Sequence, residues 1–396
     1  MAQPATITVA GRTVGASLDL DAAEAVFAQS VDRTVGLEEE FALLDTTTLD
    51  MVPRFEALTE AADTEDPALR AQITGELISS ELEIISGRGD DIAHAIELQR
   101  EHRRRLVDHV RRHDTALAAI GTHPWADYRE QHNIDTEHYR RVVDGLGYVA
   151  RRNNTFSLHV HVGVQGADRA VQVCDRLRPV LPLLLALSAS SPLLEGWNTN
   201  LHSARTLTFT RTFPRCGVPD AFGSWASYRD YLETLIKVGS IVEATQVWWS
   251  IRPHLRHGTV EVRIADAQPD AARAEALAAL ITACVAQAAA DIDEDVPFED
   301  PSPRMVEENL WRAIRFGLDG EMIDLATLET YPASAIEERL LAWTEPARGA
   351  HGISVPVLGR SAAQAQRAML EEGADHRAIY TNVVAQTMTT YGTPAA

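Results

Sequence analysis

Two periodicities divide this chain. From Asn153 to Val164 (NNTFSLHVHVGV) apolar and polar positions alternate, which predicts a strand. Phe156, Leu158, Val160, Val162 and Val164 then share one face, and Ser157, His159 and His161 the other. TVGLEEEFALLD, starting at Thr34, alternates and then runs apolar, as a half-buried strand does; residues 45–50 turn the chain and Met51-Val52-Pro53 supply a hairpin partner. Here Glu38 and Glu40 share a face while Glu39 points away. ITGELISSELEIIS, residues 73–86, reads as a second acidic strand with Glu81 and Glu83 on one face and Leu82 and Ile84 on the other. Glu76 has the opposite parity and meets Glu83 only if a bulge or bend intervenes, for which Ser79-Ser80 is the expected place. VWWSIRPHLRHGTVEVRIAD predicts two strands joined through His254 to Gly258. Val260, Val262 and Ile264 face the core, and Glu261 and Arg263 share the opposite side.

Helical spacing fills the intervals. Gly89-Asp90-Asp91 caps a helix expected to run to about Ala119, with Ile92, Ile96, Leu106 and Val110 inward and Gly121 ending it. Its arginines (Arg103, Arg104, Arg105, Arg111, Arg112) read as a solvated face. His123 to Tyr148 reads as a long polar and aromatic loop, a functional rim. Asp168 to Ser191 predicts a buried helix kinked at Pro179 or Pro182. In SARTLTFTRTFPRCGVP, threonines 206, 208 and 210 alternate with Arg205, Leu207, Phe209 and Arg211. A helix is expected around Ser224 to Val238. Past Asp270 the pattern is helical: Ala-rich to about Ala290, then Pro303–Phe316, Ala333–Trp343, Ser361–Glu371 and His376–Met388, with a Gly/Pro loop from Glu345 to Pro356. Residues 1–30, with a β-like run at Thr6–Val9 and a helix at Ala22–Ala28, read as a peripheral arm. Residues 31–396 read as one domain, a sheet core over about 34–290 and a helical part over about 291–396. Strands in hairpin-like pairs with helices in blocks favour an α+β fold on a mostly antiparallel sheet over a doubly wound one.

Composition narrows the chemistry. The chain has 396 residues, 57 acidic against 36 basic, for a formal charge of −21. That balance argues against a nucleic-acid partner, which demands concentrated positive charge. All but one of the 36 basic residues are arginine, the exception being Lys237 in an apolar helix-like segment. A P-loop is therefore excluded, and phosphate would have to be held by arginine, backbone amides and metal ions. Cys174, Cys216 and Cys284 form no CxxC pair, which fits a reducing cytoplasm. The stretch MAQPATITVAGR lacks a basic region followed by an apolar core, so no secretion signal is expected of it, and the run Leu181–Leu187 is too short to span a bilayer.

Three adjacent carboxylates in a strand repel one another. A cation between Glu38 and Glu40 accounts for that cost. Inward carboxylates at Glu38, Glu40, Glu81, Glu83 and Glu261, with His159, His161 and Arg263, select magnesium or manganese over zinc. Several such carboxylates beside arginines describe a nucleoside-triphosphate site without a P-loop. A metal-dependent hydrolase using the His-x-His pair, and a nucleotide-binding protein without turnover, are the competing classes.

The segments VGLEEEF, ITGELISSELEI, NNTFSLHVHVGV, SARTLTFTRTFPRCGVP and WWSIRPHLRHGTVEVRIAD occur in an order, over roughly residues 34–290, that resembles the type 2 glutamate–cysteine ligases, or carboxylate–amine ligases. The resemblance implies a glutamine synthetase-like curved antiparallel sheet with helices on one face, holding ATP and two or three magnesium ions. It implies phosphorylation of a glutamate-like carboxylate and attack by an amine, cysteine or another amino acid, on the acyl phosphate. By position, Glu38, Glu40, Glu76, Glu83, His159 and Glu261 resemble metal ligands. Arg263 resembles the partner of the phosphoryl in transit, His159 the strand position that binds metal or phosphate, and Arg205 and Arg252 contacts for substrate carboxylate or phosphate. Apart from the resemblance, His161, paired with His159 on one strand face, and Arg211, clustered with Arg205 and Arg215 beside Gly and Pro turns, are expected as nucleotide contacts. The resemblance favours Glu76 where strand parity favours Glu81. A homo-oligomer paired through exposed sheet edges is a further expectation.

Overall fold

The computed structural model describes residues 6–9, 12–15 and 19–392. Seven strands make the central sheet: β1 (Val35–Asp45), β2 (Ile73–Thr74), β3 (Glu81–Ile85), β4 (Thr115–Ala118), β5 (Ser157–Gly163), β6 (Ile251–His254) and β7 (Thr259–Asp266). Their order is β6-β7-β5-β1-β3-β2, with β4 also on β1. Every pairing is antiparallel. The expected α+β class is therefore the observed one.

Alternation sets the two faces. Leu37, Leu158, Val160, Val162, Val260, Val262 and Ile264 enter one core with helix residues such as Val171, Leu184 and Leu280. The helices used below are α1 (Leu20–Ala28), α2 (Phe55–Glu65), α3 (Ile92–Arg112), α4 (Glu137–Leu146), α5 (Ala167–Leu177), α6 (Leu181–Ser188), α7 (Ala204–Thr210), α8 (Ala271–Asp293) and α9 (His376–Thr390). Helix α8 is long and apolar enough to cross a membrane, yet 78% of its apolar window is buried within the protein. Its alanines favour helix and let neighbouring backbones approach closely.

Several elements depart from the expected ones. The long helix stops at Arg112, Asp114 turns at φ 49°, and Thr115–Ala118 forms β4 against Ala42–Asp45. Such a short apolar run fits strand or helix equally, and the free edge of β1 decides it. The supposed strand at Ser79-Ser80 has no bulge; residues 75–80 are the connection between the antiparallel pair β2 and β3. The alternating threonines form α7, a helix capped by Ser203, whose side chain accepts from Thr206 N. The kinked helix is two, α5 and α6. The helix from Ala333 runs through Pro346 to His351, into the expected loop. In the expected N-terminal arm, Thr6–Val9 pairs with Arg12–Gly15, while residues 1–5, 10, 11 and 16–18 lie outside the described residues. Helix α1 belongs to the body: Leu20, Ala23 and Phe27 are buried, Phe27 beside Trp225.

Arg103 is also not solvated. Alternation sends Glu39 into the helix-covered side, where an unpaired carboxylate would be very costly. Arg103, 1% exposed, meets it bidentately at 2.7 and 2.8 Å. Gln99 Nε2 donates at 2.8 Å and the Tyr391 hydroxyl at 3.0 Å. Arg103 also reaches Glu275 at 2.7 Å, so one network joins β1, α3, α8 and the chain's end. Arg104, which among the described residues pairs with Glu101, its neighbour on the same helix, is the contrast. Arg103→Met is expected to cost about 3–5 kcal/mol in urea unfolding because it strands Glu39, whereas Arg104→Ala should stay within about 0.5 kcal/mol. Equal effects would show that the buried fork has no such role.

Candidate active site

The sheet face opposite the helices carries the chemistry, and strand register assembles it. Glu38 lies opposite His159 on one side and Ile85 on the other; Glu40 lies opposite Glu83. Glu261 lies opposite both His161 and Arg252. Between Val262 and Ala265 the β7 pairing shifts, so Arg263 and Ile264 together oppose His159. This bulge leaves Ile264 in the core and Arg263 on the site face.

Glu38 joins the two histidines: His159 Nδ1 lies 2.9 Å from one of its oxygens and His161 Nε2 3.1 Å from the other. His159 Nε2 meets the Ser157 hydroxyl at 2.8 Å, and His161 Nδ1 the Thr259 hydroxyl at 2.9 Å. Arg252 Nε donates to Glu261 at 2.6 Å and its Nη1 to the Val247 carbonyl at 2.6 Å. Arg263 also donates to Glu261. Arg252 is thus committed to orienting Glu261. Arg205 donates to the carbonyls of Ile264 and Arg263, at 3.2 and 3.3 Å, beside Asp266.

Possible ligand atoms gather in three overlapping trios, Glu40–Glu76–Glu83, Glu38–Glu83–His159 and Glu38–His161–Glu261, each with its atoms within 4.8 Å of one another. The six residues expected as metal ligands all fall in them, and His161 joins. Glu76 arrives from the β2–β3 connection, which settles its parity without a bulge. Glu81, from the neighbouring strand position, opens into the same cavity as Glu76. Arg211 is not brought here: it pairs with Glu307 and lines neither cavity beside the trios.

One cavity, of about 120 Å³, lies over Glu40, Glu76 and Glu81, with Arg205 and Arg263 beside them and Tyr139 and Trp248 in its walls. A larger one, of about 460 Å³, opens at Glu38 and His161 and has Val26, Val31, Val35 and Leu37 in its lining. Two carboxylates of one strand thus serve two cavities, with the trios between. The expected rim loop is part helix: α4 supplies His138, Tyr139 and Val142 to the smaller cavity. Tyr139 donates to the Gly75 carbonyl. Residue spacing gave no sign of these three, nor of Asn153 and Thr155, because their placement depends on how α4 docks.

Charge splits the site. Burial works to raise the Glu38 carboxyl, but His161 and His159 outweigh it and hold it well below the usual range. Glu261 is likewise held low, burial being overcome by Arg252 and Arg263. On the other side cations are too few. Burial, then Glu40, push Glu76 up to about 8. Burial followed by neighbouring carboxylates raises Glu81 and Glu83 as well. Among the described residues a buried Glu81 oxygen has no hydrogen-bond partner. Crowded carboxylates, that orphaned buried oxygen and an oxygen-rich donor set fit divalent cations such as magnesium.

The model of glutamate–cysteine ligase family 2 (GCS2) matches residues 34–383. A Rubrobacter xylanophilus protein named "Putative glutamate--cysteine ligase 2-2" is 40% identical over 307 residues, 78% of each chain. A Natronomonas pharaonis protein named glutamate–cysteine ligase is 34% identical over 351 residues, 88% of this chain and 95% of its own. The Francisella tularensis glutamate–cysteine ligase, solved in complex with AMP, shares the fold with a TM-score of 0.66 at 13% identity, over 92% of this chain and 90% of that one.

The raised carboxyls give a signed pH dependence. The folded chain keeps a proton on Glu76 up to about pH 8, whereas the unfolded chain releases it near 4.5. Between those values the folded state binds more protons at Glu76, so without metal this group's contribution to stability falls as pH rises, by at most about 1.4 kcal/mol per pH unit. Buried histidines with lowered pKa, such as His123 and His202, act in the opposite sense but lie away from the carboxylates. The expected signature is therefore a difference: the rise in thermal midpoint on exchanging chelator for saturating magnesium should grow from about pH 6 to about pH 8. A rise that does not grow over that range would contradict cation binding at these carboxylates.

Proposed function

This chain belongs to glutamate–cysteine ligase family 2, and from that premise we propose that it is an ATP-dependent carboxylate–amine ligase acting on glutamate and on cysteine or a related amine. The carrying observation is the row of three trios between two cavities of different character. The larger cavity, with apolar side chains in its lining, suits the base and sugar of ATP. The triphosphate then lies over the trios, and the smaller, arginine-bearing cavity takes the amino acid.

A carboxylate resists amines because oxide is a poor leaving group. Transfer of the γ-phosphoryl from ATP to the substrate carboxylate forms an acyl phosphate and releases ADP. Attack by the amine on the acyl carbon forms the amide and expels phosphate. Glu38, Glu40, Glu76, Glu83, His159, His161 and Glu261 would hold magnesium or manganese, which supplies charge neutralisation along the phosphates when bound. Arg263, aimed at the site face by the bulge, stabilises the phosphoryl in transit. Arg205 receives the substrate carboxylate. Arg252 positions Glu261. Glu81, outside the trios, stands in the same cavity to take the proton that the substrate's ammonium sheds before its nitrogen attacks as the free amine. Tyr139 and α4 close the cavity against water, which would otherwise hydrolyse the acyl phosphate.

The hydrolase reading gains no support. His254 and His257 do stack beside His161, with ring centroids 5.0 and 5.9 Å from it. Among the described residues, however, no three imidazoles converge as ligands.

Phosphate release from ATP and magnesium should be stimulated by glutamate together with an amine from an amino-acid panel. Glu38→Gln and Arg263→Ala should each lower kcat/KM by about 10²–10³-fold or more while leaving thermal unfolding cooperative. Near-normal turnover in either variant would overturn the assignment, and ATP binding without stimulation by any pair would favour a nucleotide-binding protein without turnover.

A further inference from the structure

A second cluster lies away from the sheet. His109 and His113 stand four residues apart near the end of α3, on one face of the helix, and Glu65 ends the neighbouring α2. Their ligand-type atoms lie within 4.8 Å of one another, and none of the three lines either cavity of the active site. We propose that Glu65, His109 and His113 form a site for a divalent transition-metal ion of the zinc type, with solvent completing its coordination.

The donor set is what distinguishes it from the sheet. Two imidazoles and one carboxylate suit zinc, nickel or copper, whereas the sheet trios are dominated by carboxylate oxygen. His109 is prepared for the role. It is completely buried, and its Nε2 lies 2.9 Å from the Leu58 carbonyl, which can only accept a hydrogen bond. The proton is therefore on Nε2 and the lone pair on Nδ1, the arrangement in which a backbone carbonyl fixes a ligating imidazole. That Nδ1 lies 3.6 Å from Glu65 Oε2, and His113 Nε2 lies 3.0 Å from the same oxygen. Ligands about 2.0–2.1 Å from a tetrahedral ion stand about 3.4 Å apart, so the two spacings straddle the required one. The imidazole rings are 4.7 Å apart, centroid to centroid.

Arg112 is the competing group. Its Nη2 is 3.4 Å from His109 Nδ1 and its Nε 3.7 Å from Glu65. It offers no lone pair, and its side chain is half exposed, so it can turn into solvent when an ion enters. His113 and Glu65 are themselves partly exposed, which leaves water a route to the remaining positions. Burial, followed by opposition from the Leu58 carbonyl bond, keeps His109 neutral more readily than a free imidazole, and the neutral form is the one that binds metal. An ion here would join the ends of α2 and α3, the latter being the helix that carries Arg103.

The test uses the full chain, stripped with chelator and then given zinc chloride in excess magnesium, which occupies the sheet carboxylates. Metal analysis after gel filtration should find one zinc retained per chain, with a higher thermal midpoint. His113→Ala and Glu65→Gln should each lose the zinc and the thermal shift while keeping magnesium-dependent turnover. Glu38→Gln, which disrupts two sheet trios, should retain the zinc. No retained zinc in the parent chain, zinc retained equally by His113→Ala, or zinc lost from Glu38→Gln would each overturn the proposal.

Discussion

The alternation of a β-strand, applied to three consecutive glutamates, is the constraint around which this protein is built. Glu38, Glu39 and Glu40 cannot share a face. One carboxylate must enter the helix-covered side, and two must stand together on the other. The structure resolves the two problems differently. Glu39 is neutralised by Arg103, a guanidinium held within hydrogen-bonding geometry in a site that excludes water. Glu38 and Glu40 are left among more carboxylates than the local arginines and histidines can balance.

That imbalance connects fold to function. The half of the site around Glu38 and Glu261 has His161, His159, Arg252 and Arg263 to hold its charge. The half around Glu40, Glu76, Glu81 and Glu83 is short of positive partners, and burial compounds the deficit. Divalent cations held there would remove it. Strands fix the donors, while the connection bearing Glu76 and helix α4 shape the smaller cavity. Catalysis by charge and position asks for this division, since little proton transfer is required.

Much of the sheet was legible in the sequence. The strands bearing His159, Glu38 and Glu261 each have an apolar face long enough to exclude helix, and their polar residues fall as parity demands. Arg103 was misread because a helix surface rich in arginine gives no sign of which member meets a buried carboxylate from elsewhere. Thr115–Ala118 and Thr206–Thr210 were ambiguous because short runs lack the length that separates the two periods, leaving an open strand edge and a Ser203 cap to decide. Arg211 looked equivalent to Arg205, yet only Arg205 is held by carbonyls of β7.

By itself the sequence determined which side chains could share a face, that phosphate would have to be met without a P-loop, and that this was a carboxylate-rich antiparallel sheet of a recognisable ligase kind. The shared faces follow from local covalent geometry, because side-chain direction along a strand is fixed by parity; the missing P-loop follows from composition, and the ligase kind from the resemblance of five segments to a known family. Tertiary structure alone decided that Glu76 and Glu81 share a cavity, that the β7 bulge directs Arg263, that α4 walls the site, and that Glu65 meets His109 and His113. Each of those depends on chain reversal, register or helix docking between segments distant in sequence, which no local periodicity encodes.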